Sequence, residues 1–166
     1  AAMGPVWDLV FRSGVGGNNP ASKMAELGKA GVTVELGGNC RTLTADFHEV
    51  ANGLRDGYLN VMRHYGMIEG DAGYAPEWRM GHQEALLAPA TGMWVGSPSL
   101  VFEQPLAKGT VLGTVYDLYG DVQGEVVAPE DGVVFGLRSR PAVLEGEWCC
   151  FFGIIDEVRD DLLEGA

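Results

Sequence analysis

With 166 residues, 46% of them hydrophobic and 20% charged, the chain can bury a real core as one domain or two small ones, and its composition excludes a disordered or fibrous class. Its net charge of -12 is uneven: residues 1–83 carry seven basic and nine acidic side chains, residues 84–166 four and fourteen. That surface repels phosphate backbones, which argues against nucleic acid as a partner. No apolar run reaches the eighteen or so residues of a bilayer span, which argues against a membrane.

The first elements read as α/β. Residues 6–11 (VWDLVF) have the pattern of a strand, and SGVGGNN at 13–19 that of a loop. The loop lacks the Gly-Lys-Ser/Thr ending of a phosphate cradle. Asn19 and Pro20 instead suit the N-cap and first position of a helix running to about Ala30, with Gly31 as its left-handed cap. A strand over 32–36 follows, so the strand–helix–strand order predicts a parallel pair. This second strand belongs to the run GVTVELGG at 31–38, which places Glu35 among β-branched apolar residues and before two glycines. A carboxylate at the end of a buried strand is partly desolvated, which raises its pKa toward the range of general acid/base work. Alternatively, Glu35 alternates with Thr33 on the exposed face of a half-buried strand.

A longer helix is expected over 45–65, because Phe47, Val50, Leu54, Tyr58, Val61, Met62 and Tyr65 recur at spacings of three and four. Thr44 suits its cap and Gly66 its stop. His48-Glu49 lacks the second histidine of a zinc-protease helix, since residue 52 is Asn. His64 lies sixteen residues beyond His48, about 160° around a helix, so the two cannot share a metal. Solvated or capping histidines are expected.

Residues 69–83 show no period and read as a connector. From Glu84 onward short β-rich runs alternate with Gly, Pro and Asp signals, which indicates an all-β domain over 84–158, with an acidic tail over 159–166. LLAPATG at 86–92 recurs as VVAPEDG at 126–132, forty residues later, so two β-units related by a pseudo-twofold are expected. In the second copy Pro129 presets a turn and Gly132 suits its left-handed position. Cys40 and the adjacent pair Cys149-Cys150 form neither a disulfide framework nor a metal knuckle, which favours packing roles and a reducing, cytoplasmic location. Trp78, Trp94 and Trp148 are expected to anchor core or domain packing.

The apolar-Ala-Pro-x-x-Gly repeat with PLAKGTVLG at 105–113 resembles the barrel-sandwich hybrid of biotinyl and lipoyl carriers. The hairpin expected at VYDLYGD, 115–121, has no lysine, so the carrier function fails on its essential residue. Taken in order, TVELG at 33–37, GLRDGYLNVM at 53–62 and the β domain resemble the C-terminal half of the succinylglutamate desuccinylase/aspartoacylase family. The resemblance implies an α/β plus β fold: the C-terminal part of a zinc-carboxypeptidase-like α/β domain over 1–83, followed by a barrel-sandwich-hybrid-like β domain.

It also implies a zinc-dependent hydrolase of N-acyl amino acids or related amides, with Glu35 as general base. The family's zinc ligands, a His-Gly-x-Glu motif and a later His, are expected to precede residue 1, so none is assigned within this chain. The chain then reads as the C-terminal portion of a longer enzyme, inactive and zinc-free alone. Arg41 could bind a substrate carboxylate, or simply be solvated. Arg138 and Arg140 could face the cleft, with ordinary surface charge as the favoured alternative. An open sheet edge would invite homo-oligomers. The reading from a different class is a non-catalytic β module for partner binding or oligomerisation.

Overall fold

The structure, a computed structural model, describes residues 3–4, 8–11, 19–34 and 44–160. The chain divides into two compact units, one of Ala1–Asp8, Arg12–Trp78 and Asp160–Ala166, the other of Leu9–Phe11 and Arg79–Arg159.

In the first unit, Asn19 caps helix α1 (Pro20–Glu26): its Oδ1 accepts the Ser22 N–H at 2.8 Å, and Pro20 opens the helix where no donor is needed. The helix stops earlier than expected. Gly28, with φ of 67°, takes the left-handed position, its N–H bonds to the Ala25 carbonyl, and the Lys29 N–H bonds to that of Met24. These two bonds satisfy orphan carbonyls of the last turn, so the nearer of two available glycines ends the helix and Gly31 does not.

Residues 31–34 form neither helix nor strand, and Val32 is 69% exposed. The strand expected over 32–36 is therefore not formed at 32–34, and its last two residues lie outside the described ones. Gly31 packs against the α1 backbone instead, where a Cβ would stand 3.0 Å from Ala21 Cα and 2.9 Å from Met24 Cβ. Apolar alternation specifies a strand only where a neighbouring ladder receives it.

Helix α2 (Thr44–His64) ends as expected at Gly66 (φ 65°), with the Gly66 N–H on the Arg63 carbonyl and the Met67 N–H on that of Met62. Its packed face follows the apolar stripe only in part, with Val50, Leu54, Val61 and Met62 half-buried. Gly57 and Asn60 are buried, whereas Phe47, Tyr58 and Tyr65 are exposed. Asn60 reads the backbone of the following loop like a strand: Nδ2 donates to the Gly73 carbonyl and Oδ1 accepts its N–H, both at 2.8 Å.

The second unit holds two sheets. Strands β1 (Leu9–Phe11), β2 (Trp78–Leu87), β9 (Trp148–Arg159), β7 (Gly132–Leu137) and β4 (Pro105–Leu106) lie side by side in that order, and β6 (Val122–Val127), β5 (Val111–Tyr116), β3 (Gly92–Gly96) and β8 (Ala142–Val143) form the other. The described parallel partner of β1 is β2, with Leu9 opposite Arg79, rather than the 32–36 segment. Part of the expected connector, 78–83, is thus strand. Gly81 disguised it as a turn, yet its role is close approach, since a Cβ there would overlap the Ile154 carbonyl of β9.

Trp94, Leu112, Val115, Val126 and Val143 from one sheet meet Val134, Cys150 and Phe152 from the other in one core. Each copy of the repeat carries the chain across that core, β2 to β3 in one direction and β6 to β7 in the other, and buries its alanine, Ala88 or Ala128, within it. The repeat glycines serve sterics rather than turns. A Cβ on Gly92 would overlap the Tyr116 carbonyl, and one on Gly132 the Gly153 carbonyl, while Gly132 has no left-handed φ. Cys149 and Cys150 are fully buried, consistent with both faces of β9 being covered there. Among the described residues, no helix is long and apolar enough to cross a membrane.

Candidate active site

Glu35 and Arg41 lie outside the described residues, as does Cys40. The structure describes the lead-in to Glu35: α1, its Gly28 stop, and the Gly31 contact that fixes where residues 32–34 depart, with Val34 half-buried. Burial of the run before Glu35 is not found over 31–33, which are exposed.

The histidines have separate surroundings. His48 is exposed beside the Phe47 ring, His64 Nδ1 stands 2.9 Å from the Tyr74 hydroxyl, and His82 Nδ1 lies 3.1 Å from both oxygens of Asp156. The last two are thus hydrogen-bonded rather than merely solvated. No three His, Cys, Asp or Glu side chains come together as metal ligands among the described residues. The described residues do not fit a zinc site.

Arg138 is a structural hub rather than plain surface charge. Its guanidinium donates to the Arg140, Trp148 and Ala142 carbonyls and to Glu147 at 2.9 Å, and lies 5.9 Å from the Trp148 ring centroid. The same Glu147 oxygen accepts the Leu144 N–H at 3.0 Å, so one ion pair shapes the β8–β9 connection. Arg140 contributes its carbonyl and keeps its side chain exposed. Trp78 and Trp94 are buried with indole N–H groups that find no hydrogen-bond partner, and the more exposed Trp148 stacks on Phe151 at 4.8 Å.

Burial pushes the Cys150 thiol up to about 12, with the neighbouring Cys149 adding to the shift, and burial likewise raises Cys149. Both are poor nucleophiles at neutral pH.

Sequence reasoning missed Asn60 and the Arg138 role. Asn60 left a trace in the spacing Gly57, Asn60, His64, a polar line at helical period. Arg138 left none, because its Glu147 and Trp148 partners come into reach through the β7–β9 pairing that sets Leu137 opposite Cys150.

No protein-family model matches the chain, and no curated protein matches it. Solved structures do. A succinylglutamate desuccinylase/aspartoacylase from Rhodobacter sphaeroides is similar at 24% identity and a TM-score of 0.69, over 94% of this chain and 47% of that one. The ectoine utilization protein EutE (DoeB) from Ruegeria pomeroyi is similar at 21% identity and 0.73, over 92% and 48%. A succinylglutamate desuccinylase from a Silicibacter species is similar at 19% and 0.67, over 93% and 47%. The chain spans about half the length of the structures it matches, as a C-terminal portion does, and over that half it has the fold of the succinylglutamate desuccinylase/aspartoacylase structures.

Proposed function

We propose that this chain is the C-terminal portion of a cytoplasmic, zinc-dependent hydrolase that deacylates N-acyl amino acids or related amides, with Glu35 as its general base. The observation that carries the reading is the likeness over more than nine-tenths of this chain to structures named as desuccinylases and aspartoacylases. In this reading the fold is the end of a zinc-carboxypeptidase-like α/β domain followed by a barrel-sandwich-hybrid-like β domain. Zinc belongs to the complete protein, with ligands outside the described residues.

The chemistry asked of Glu35 is proton transfer. Its carboxylate takes a proton from water as the water oxygen bonds to the amide carbon, then gives that proton to the nitrogen as the C–N bond breaks, which leaves a free amine and a carboxylic acid that then releases its proton to solvent. Arg41 would hold the substrate carboxylate by a two-point contact.

In the complete polypeptide, Glu35→Gln is expected to lower kcat by roughly a hundredfold or more for N-acetyl or N-succinyl amino acids, with KM little changed. Near-normal turnover would remove Glu35 from the mechanism.

A second reading, a β module that binds a partner, draws on one observation. The β5–β6 hairpin holds Leu118 97% and Tyr119 93% exposed, on a turn fixed by Asp117 Oδ1 accepting the Tyr119 and Asp121 N–H groups. Deacylase activity in the complete polypeptide would decide for the first reading.

A further inference from the structure

The repeat maps the two sheets of the second unit onto each other. β6 leads into β7 through the second copy as β2 leads into β3 through the first, so the order β2-β9-β7-β4 matches β6-β5-β3-β8 strand for strand. One strand has no counterpart. β1 lies on the outer edge of β2, with Leu9 to Phe11 opposite Arg79 to Gly81, whereas β6 ends its sheet among the described residues. The same position in the architecture is filled in one sheet and open in the other. β6 (VQGEVV) carries neither proline nor lysine, the residues that blunt an edge against pairing, and its ends Val122 and Val127 are exposed.

We propose that β6 pairs antiparallel with β6 of a second copy, joining two four-stranded sheets into one across a twofold axis. The axis keeps the core faces of both sheets on the same side, so it sets one residue opposite its own equivalent. The charge pattern selects which one. A centre at Gln123 sets Asp121 against Glu125, and a centre at Glu125 sets that carboxylate against itself. A centre at Gly124 instead sets Gln123 against Glu125 on both sides of the axis, an amide donor facing an acceptor. This register also carries each β5–β6 hairpin tip alongside Val127 and Pro129 of the other copy. Leu118 and Tyr119, almost fully exposed on their turn, thereby gain an apolar surface to cover. The pairing is independent of Glu35 and of the hydrolase reading, and its test reads mass rather than turnover.

The test is sedimentation equilibrium of the 166-residue chain up to about 100 μM, where the wild type is expected to form a dimer that dissociates on dilution. Gln123→Glu sets carboxylates against each other on both sides of the axis and should weaken the dimer about tenfold. Adding Glu125→Lys restores opposite charges across the axis and should return association to the wild-type level. Loss of the bonds that the Gln123 amide donates to Asp117 and to the Asp121 carbonyl within its own copy would not be repaired in that way. Leu118→Ser/Tyr119→Ser, which leaves β6 intact, should weaken the dimer as well. Thermal melts confirm that each variant is folded. Where Gln123→Glu does not fold, Gln123→Lys/Glu125→Lys keeps a donor beside Asp117, sets ammonium groups opposite one another and should weaken association likewise. The proposal is overturned by a monomer at every concentration, by association that none of these substitutions changes, or by Gln123→Glu/Glu125→Lys associating as weakly as Gln123→Glu alone.

Discussion

Gly132 and Arg138 show how single residues shape the β-rich unit without resembling functional motifs. Gly132 closes the second copy of the repeat, where its neighbour's backbone, the Gly153 carbonyl, and the Phe152 ring leave no room for a methyl group. Gly132→Ala should therefore lower the unfolding free energy by roughly 1–3 kcal/mol through forced strand displacement, read as a reduced urea midpoint at unchanged slope. Arg138 is three-quarters or more hidden and serves four acceptors, so Arg138→Ala strands the Glu147 carboxylate and three carbonyls. The expected loss is roughly 2–4 kcal/mol, and Arg138→Lys should restore little of it, because an ammonium cannot span that fork. A full recovery by lysine would show that charge alone matters there. Of the candidate site, residue chemistry alone yields Glu35 and Arg41. It yields nothing of the Arg79–Glu103 ion pair, since the carboxylate comes from a distant loop and no local spacing encodes it.

Among the elements, α2 was legible in extent and obscure in orientation. Its period and the Gly66 stop define the helix, but its apolar stripe defines the packed face only in part, because Gly57 and Asn60 are the buried positions and Asn60 binds the backbone of the following loop. Asn60 is 6% exposed and satisfies both polar groups of Gly73. Asn60→Leu should therefore leave the Gly73 N–H and carbonyl to water and lower stability by about 1–2 kcal/mol. Faster amide exchange over residues 66–75 would locate the damage, whereas unchanged exchange there would mean the loop is held by other contacts. The repeat was equally legible in the β-rich unit, and its two copies do carry the chain between sheets. What misled was glycine: Gly31, Gly81 and Gly132 read as caps or turns, yet each marks a close approach. A sequence pattern records that a side chain is missing and does not record what stands in its place.

At the scale of the whole molecule, the thiols of the core couple folding to pH. Cys149 and Cys150 lie in the core that joins the two sheets, and burial holds both as neutral thiols, with Cys150 pushed up to about 12. An unfolded thiol releases its proton near pH 8.5. Between that value and about 12 the folded chain therefore retains protons that the unfolded chain has lost. Stability contributed by the two thiols is complete below the ordinary thiol value and declines as pH rises through this window. Urea unfolding across pH 8 to about 10.5 should show a steeper loss for the wild type than for Cys149→Ala/Cys150→Ala. The cavities left by alanine cost the same at every pH, and every other group is common to both proteins, so the difference in slope isolates the thiols. Parallel slopes would mean that the thiols ionise in the fold. An aromatic disulfide reagent gives the complementary reading: at neutral pH Cys149 and Cys150 should react only after unfolding, at a rate set by core opening rather than by reagent concentration.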